Sequence, residues 1–229
     1  MTDHLSERFN STSSEPTQDT VIVYGDISNR GGRVIWALEE LGVPYETVKL
    51  QLFKGEQRSA EYLALNPKGK VPTLVIKREG GEPEIISESL AILYTLAERY
   101  PDRGLTIENS RQMAQLHEWM AFGATELEPP IWIHAKHTFV YPEKRRVADI
   151  FPSCHYDYQR ALKHLESQLS DGRTWLVGAP FCAADIFIGQ TLMWGQLRQL
   201  GELGEHVKAY LERLKARPAW VRTFGEAPA

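Results

Sequence analysis

The sequence predicts an α/β unit followed by an all-helical unit. Three observations carry that reading. A strand, a helix and a second strand follow one another within residues 21–50. A hairpin leading into a helix occupies residues 71–99. Strand patterns then stop after Pro101, where long helical periodicities take over.

Val21-Ile22-Val23-Tyr24 is a short apolar run bounded by polar residues, the pattern of a buried strand. Residues 26–32 form a polar, glycine-bearing turn. Residues 33–41 are amphipathic, and Gly42 suits the left-handed position that ends a helix. Residues 45–50 alternate as a second strand. Strand, helix and strand in about thirty residues form a βαβ unit, which predicts a right-handed parallel crossover. Residues 71–76 and 84–86 flank Arg78-Glu79-Gly80-Gly81, a hairpin signal, and a helix is expected from Ser87.

In the second unit a helix is expected from about Ser110 past Trp119, with Pro129-Pro130 expected to kink or end it. Further helical patterns cover 156–169, 183–197 and 205–217, and Pro218 opens a short final helix. Cys154-His155 is read as a loop after Pro152. The expected division is a mobile, disordered tail at 1–19, an α/β domain at 20–101 and an all-helical domain at 106–229.

The chain has 229 residues, with 26 Lys and Arg against 30 Asp and Glu. That balance argues against nucleic acid as the main partner. No apolar run reaches membrane-spanning length, and the first residues lack the basic-then-apolar order of a signal peptide. Cys154 and Cys182 form no disulfide framework and fit a reducing compartment. The expected location is the cytoplasm, with neither membrane nor nucleic acid as partner.

Two segments carry chemistry. Asn66-Pro67-Lys68-Gly69-Lys70-Val71-Pro72-Thr73-Leu74 places a proline at the mouth of a strand, where it favours a bend. A cis bond before Pro72 would turn the main-chain groups of Val71 outward, where an extended peptide could pair with them. Glu88-Ser89 opens a helix, whose free N–H groups and positive dipole end suit a carboxylate. Together they describe a site for a short acidic peptide. His134 and His137 have helical spacing but no clear third metal ligand, so no metal is expected.

Taken with residues 33–46, Ala183-Ala184-Asp185-Ile186 and residues 209–220, these segments resemble the cytosolic glutathione S-transferases, of the bacterial beta/theta-like kind. The resemblance runs from about Val21 to Phe224. It implies a thioredoxin-like N-terminal domain, an all-α C-terminal domain and a homodimer. It implies glutathione as co-substrate, a hydrophobic electrophile as second substrate, and conjugation or peroxide reduction as the reaction. The alternative is a non-catalytic binding or assembly module of the same fold.

The resemblance also distributes roles. Val71 before Pro72 would pair with the cysteinyl part of glutathione, and Glu88 and Ser89 would take the γ-glutamyl end. Lys54 or Lys70 would meet the glycyl carboxylate, with Lys68, Gln57 and Asn66 given less weight. The thiol-activating group would come from the loop at 25–32, where Ser28, Asn29 and Arg30 are the candidates. No cysteine stands there, which disfavours cysteine-based reductase chemistry. Gly31-Gly32 occupies positions where relatives often carry a side chain, and is read as room for the ligand to approach the backbone. Trp119, Phe122, Trp132, Ile133 and Phe139 are candidates for the acceptor pocket. Cys182 stands where relatives place Ser or Thr in a capping box, so half of that box is expected to be lost and Cys182→Thr to stabilise the fold.

Overall fold

The computed structural model describes residues 19–225. The N-terminal part is a four-stranded mixed sheet in the order β2-β1-β3-β4. β1 (Thr20–Tyr24) runs parallel to β2 (Glu46–Val48) through the connecting helix α1 (Gly31–Leu41). β3 (Thr73–Lys77) and β4 (Glu84–Ser87) are antiparallel and joined at the Arg78–Gly81 turn. The expected crossover and hairpin are both present. A short helix α2 (Ala60–Leu65) precedes β3, and α3 (Ser89–Arg99) follows β4. α3 begins at Ser89 rather than Ser87, because Ser87 still pairs with Thr73 as the last residue of β4.

Register brings three segments to one end of the sheet. Tyr24, the last residue of β1, lies opposite Thr73, the first of β3, and Thr73 lies opposite Ser87. The β1–α1 loop, the Val71-Pro72 approach to β3 and the Glu88-Ser89 entry to α3 therefore share one edge. Pro72 Cα is 3.7 Å from where a Cβ on Gly25 would stand.

The helical part contains α4 (Ser110–Phe122), α5 (Glu128–Ala135), α6 (Phe151–Leu169), α7 (Ala183–Leu197), α8 (Glu205–Lys215) and α9 (Pro218–Phe224). Of the expected kink or end at Pro129-Pro130, the end does not occur. α4 and α5 are joined by a wide π turn at Gly123–Leu127, and a second one follows at Lys136–Val140. The prolines sit in the first positions of α5, where their missing N–H groups are tolerated. Pro152 likewise starts α6, so Cys154-His155 is helical rather than a loop, and Cys154 is buried.

α1 and α7 stand at the centre. Trp36 on α1 is fully buried and meets the Trp220 ring edge-on at 4.8 Å. Arg217 and Arg222 reach back to Glu40 and Glu39 on α1, fastening the C-terminal helices to the sheet unit. Asp185, fully buried in α7, accepts from the Leu176 and Cys182 N–H groups and from the Tyr210 hydroxyl. Cys182 Sγ lies 3.4 Å from the same carboxylate, and both halves of the capping box are present with sulfur in the hydroxyl's place. Half of the box is therefore not lost. Because Cys182 has no exposed surface, the extra methyl of Thr would press on the core. The expected tail lies outside the described residues except for Asp19, which pairs with Arg99 at 3.0 Å.

Candidate functional site

The β1–α1 loop is organised by Asp26. Its Oδ1 accepts from the Ser28 N–H at 2.8 Å, from the Ser28 hydroxyl at 2.5 Å and from Asn29 Nδ2 at 2.9 Å. Asn29 Oδ1 accepts in turn from the Gly31 N–H at 2.8 Å. The Asn29 amide is thus engaged in holding the loop on the start of α1. Ser28 is exposed, and among the described residues its hydroxyl is bound only to Asp26. Arg30 directs its guanidinium away from the loop and onto Glu128 of α5 at 2.5 Å, stacked over Trp132 and Trp194.

Gly31 and Gly32 are there for packing. A Cβ on Gly31 would stand 2.7 Å from the Asp26 nitrogen, and one on Gly32 would stand 3.0 Å from the Phe224 ring. The loop's own backbone and α9 fill the space expected to admit a ligand.

The Val71–Pro72 bond is cis. Behind it the Lys70 carbonyl accepts from the Tyr62 hydroxyl at 2.6 Å and from Asn66 Nδ2 at 2.8 Å, and both donors also reach Thr73 Oγ1. This buried clamp holds the loop that leads into β3. Asn66 and Tyr62 are therefore supports of the loop. Neither N–H nor C=O of Val71 has a hydrogen-bond partner among the described residues.

At the entry to α3, Glu88 has φ 74° and ψ 117°, an uncommon backbone state for a residue with a side chain. No side chain caps the helix. The Glu88 carboxylate is exposed and paired with Lys68 Nζ at 2.8 Å. Lys68, given less weight from sequence, is the lysine that the structure brings to Glu88. Lys54 and Lys70 are exposed, with no carboxylate within 4.0 Å among the described residues. Ser89 is buried, and its hydroxyl accepts from Arg33 at 3.1 Å.

Arg33 is the part of the site that sequence reasoning missed. It is fully buried in α1, stacks on the Phe187 ring at 3.8 Å, and donates to Ser89, Thr191 and Glu128. Burial pushes the Glu128 carboxyl up, and the two guanidiniums of Arg33 and Arg30 outweigh it, holding the carboxyl below its ordinary range. A buried arginine inside an amphipathic helix was the available signal.

Of the candidates for the acceptor pocket, Trp119 belongs to the core: it is 7% exposed and its indole N–H donates to the Leu176 carbonyl. Phe122 packs on Trp119 and His164. Ile133 is half-buried against the core, and Trp132 and Phe139 are half-buried on the continuous α5 rod. Among the described residues no group of three His, Cys, Asp or Glu side chains is placed to hold a metal, and no helix is long and apolar enough to cross a membrane.

Comparison with known proteins bears directly on this site. Residues 27–99 match the family model described as glutathione S-transferase, N-terminal domain. The chain is 30% identical to a glutathione S-transferase of Arabidopsis thaliana over 86% of this chain and 93% of that protein. It is 29% identical to a disulfide-bond oxidoreductase of Escherichia coli over 82% of this chain and 87% of that protein. A solved glutathione transferase of Phanerochaete chrysosporium, in complex with oxidized glutathione, is 26% identical, with a TM-score of 0.76 over 90% of this chain and 95% of that one. The sheet-and-helix architecture is the glutathione S-transferase fold, a thioredoxin-like N-terminal domain with a helical C-terminal domain, and the chain belongs to the glutathione S-transferase family.

Proposed function

We propose that the protein is a glutathione transferase of the beta/theta-like kind. It binds glutathione at the shared edge of the sheet and delivers its thiolate to an electrophile, or reduces a peroxide. The observation that carries this reading is the register Tyr24–Thr73–Ser87, which gathers the three binding segments at one edge. The resemblance to catalytic relatives, over 86% of this chain in the Arabidopsis thaliana case, favours an enzyme over a binding or assembly module.

In this reading the exposed backbone groups of Val71 pair with the cysteinyl unit, and Pro72 sets their direction. The uncapped start of α3 at Ser89 takes the γ-glutamyl carboxylate on its free N–H groups, with Glu88 facing the amine. Lys54 and Lys70, without a carboxylate partner among the described residues, meet the glycyl carboxylate, and Lys68 holds Glu88 in place. Of Ser28, Asn29 and Arg30, we assign activation to Ser28. Asn29 and Arg30 are committed elsewhere, whereas the Ser28 hydroxyl is exposed and can turn from Asp26 to donate to a thiolate. Asp26 keeps two other donors when it does. A free thiol titrates near pKa 8.5, so this one donor raises the thiolate fraction at neutral pH. The glutathione-binding domain is 20–101 and the helical domain 106–229. The enzyme acts as a cytoplasmic homodimer.

The test combines retention on immobilised glutathione with turnover of 1-chloro-2,4-dinitrobenzene and of cumene hydroperoxide. Retention with turnover is expected. Retention without any turnover would favour the assembly-module alternative.

A further inference from the structure

Two columns of side chains line the surface that the helical domain turns toward the N-terminal loops. Trp132 lies on α5 and Phe139 in the π turn that follows it, while Trp194 lies on α7 and Arg198 is the residue that ends it. The columns meet in two rungs. The Trp132 and Trp194 ring centroids are 6.3 Å apart, and the Arg198 guanidinium lies 4.4 Å over the Phe139 ring. The N-terminal domain reaches both rungs. Arg30 stacks on the first, and Phe53, from the segment after β2, approaches Phe139 at 6.4 Å on the second. Phe53 is 92% exposed, so the second rung is open to solvent beside its two aromatic rings.

Arg198 sets the chemistry of that rung. Arg30, Arg33, Arg99, Arg217 and Arg222 each hold a carboxylate. Arg198 is half-buried, has no carboxylate within 4.0 Å among the described residues, and its Nε is buried without a partner. A partly desolvated cation without a counter-charge is an unfavourable arrangement that an anionic ligand relieves. A planar carboxylate or sulfonate meets the guanidinium fork with two charge-assisted bonds.

We propose that this rung is the acceptor subsite and that its substrates are planar aromatic electrophiles bearing an anionic group. The inference rests on the transferase reading above. The ring lies against Phe53 and Phe139, the anion on Arg198, and the reacting carbon toward Arg30 and the β1–α1 loop. Arg198 is one helical turn beyond Trp194, a rise of about 6 Å, which suits an anion placed para to the reacting carbon of a benzene ring. In the reaction the glutathione thiolate bonds to the ring carbon that carries halide. The halide leaves with its bonding pair, and the thiol proton has gone to solvent.

The experiment compares 4-chloro-3,5-dinitrobenzoate with 4-chloro-3,5-dinitrobenzamide, each rate divided by its uncatalysed reaction with glutathione at the same pH. The benzoate is expected to show a larger enhancement in kcat/KM, by about tenfold or more, as for a hydrogen bond to a charged group. Arg198→Gln is expected to bring the ratio near one through KM for the benzoate, and the remote Arg111→Gln to keep it. As a readout independent of turnover, non-reactive 3,5-dinitrobenzoate is expected to quench tryptophan fluorescence saturably, and Arg198→Gln to abolish that binding. Turnover of both substrates with equal enhancement, or a benzoate preference that survives Arg198→Gln, overturns the inference and leaves the transferase reading standing. Neither substrate turned over and no retention on immobilised glutathione overturns both.

Discussion

Arg33 and Glu128 form an ion pair across the two domains, with the Arg33 side chain 1% exposed and the Glu128 side chain 11%. The same carboxylate holds Arg30, and the same guanidinium holds the Ser89 hydroxyl. One glutamate in the helical domain is thereby linked both to the β1–α1 loop through Arg30 and to the start of α3 through Arg33 and Ser89.

Removing one member of such a pair leaves a buried charge without its partner, which costs about 3–5 kcal/mol. Glu128→Gln is therefore expected to lower stability by roughly that amount and to weaken glutathione binding, because Arg30 and Arg33 both lose their anchor. Urea denaturation and glutathione titration of the variant check this. A midpoint within error of the parent would show that Arg33 finds other compensation.

Ser28→Ala removes the hydroxyl to which the proposed function assigns thiol activation. Asp26 stays bound to the backbone N–H of residue 28 and to Asn29, so the loop keeps its shape. Loss of one donor to a developing anion costs about a hundred- to a thousandfold in kcat. The bound thiol should titrate at higher pH in the variant, since its ionised form has lost a donor. The deficit is then larger at pH 6.5 than at pH 9, and a pH profile of kcat/KM reads it. A uniform deficit at every pH would point to mispositioning.

Gly31→Ala and Gly32→Ala should separate. A methyl on Gly31 meets the backbone of Asp26, which cannot yield without moving the loop. A methyl on Gly32 meets the edge of Phe224 near the chain end, which can shift. Gly31→Ala is expected to lose most of its activity and about 1–3 kcal/mol of stability, and Gly32→Ala much less. Activity assays and denaturation of both variants check the order.

Burial pushes the Asp185 carboxyl up to about 6 from an ordinary 3.8, although the Leu176 N–H, the Tyr210 hydroxyl and the Cys182 N–H and thiol all donate to it. The native state thus holds this proton more tightly than the unfolded chain does. Its contribution to stability is fully present below pH 3.8 and is lost as the pH rises through 6. Asp185→Asn removes the titration and destabilises at all pH values by turning a donor toward donors. The advantage of the parent over Asp185→Asn should shrink by about 2 kcal/mol between pH 4.5 and 7. Urea denaturation at both pH values measures it, and a constant difference would place the carboxyl's titration elsewhere.

The backbone architecture was written locally. Alternating and 3.6-residue patterns, Gly42 and the Arg78–Gly81 turn specify the sheet unit, and α7 runs over 183–197 as its apolar period predicts. The bend at Val71-Pro72 and the helix start near Glu88-Ser89 were legible for the same reason. Val71-Pro72 and Glu88-Ser89 are consecutive residues whose roles lie in their own backbone geometry.

What the sequence could not show depends on residues far apart in the chain. Arg33 meets Glu128, Arg198 meets Phe139, and Lys68 meets Glu88 because sheet register and the packing of α1, α5 and α7 bring them together. A buried charge or an exposed aromatic is unremarkable in a local window. Only the tertiary structure gave Arg33 its partners and Arg30 its direction away from the thiol loop. It also gave Gly32 its neighbour Phe224 and left Arg198 without a counter-charge among the described residues. Those outcomes are set by desolvation and Coulomb energy, which depend on the distance between side chains in space and not along the chain.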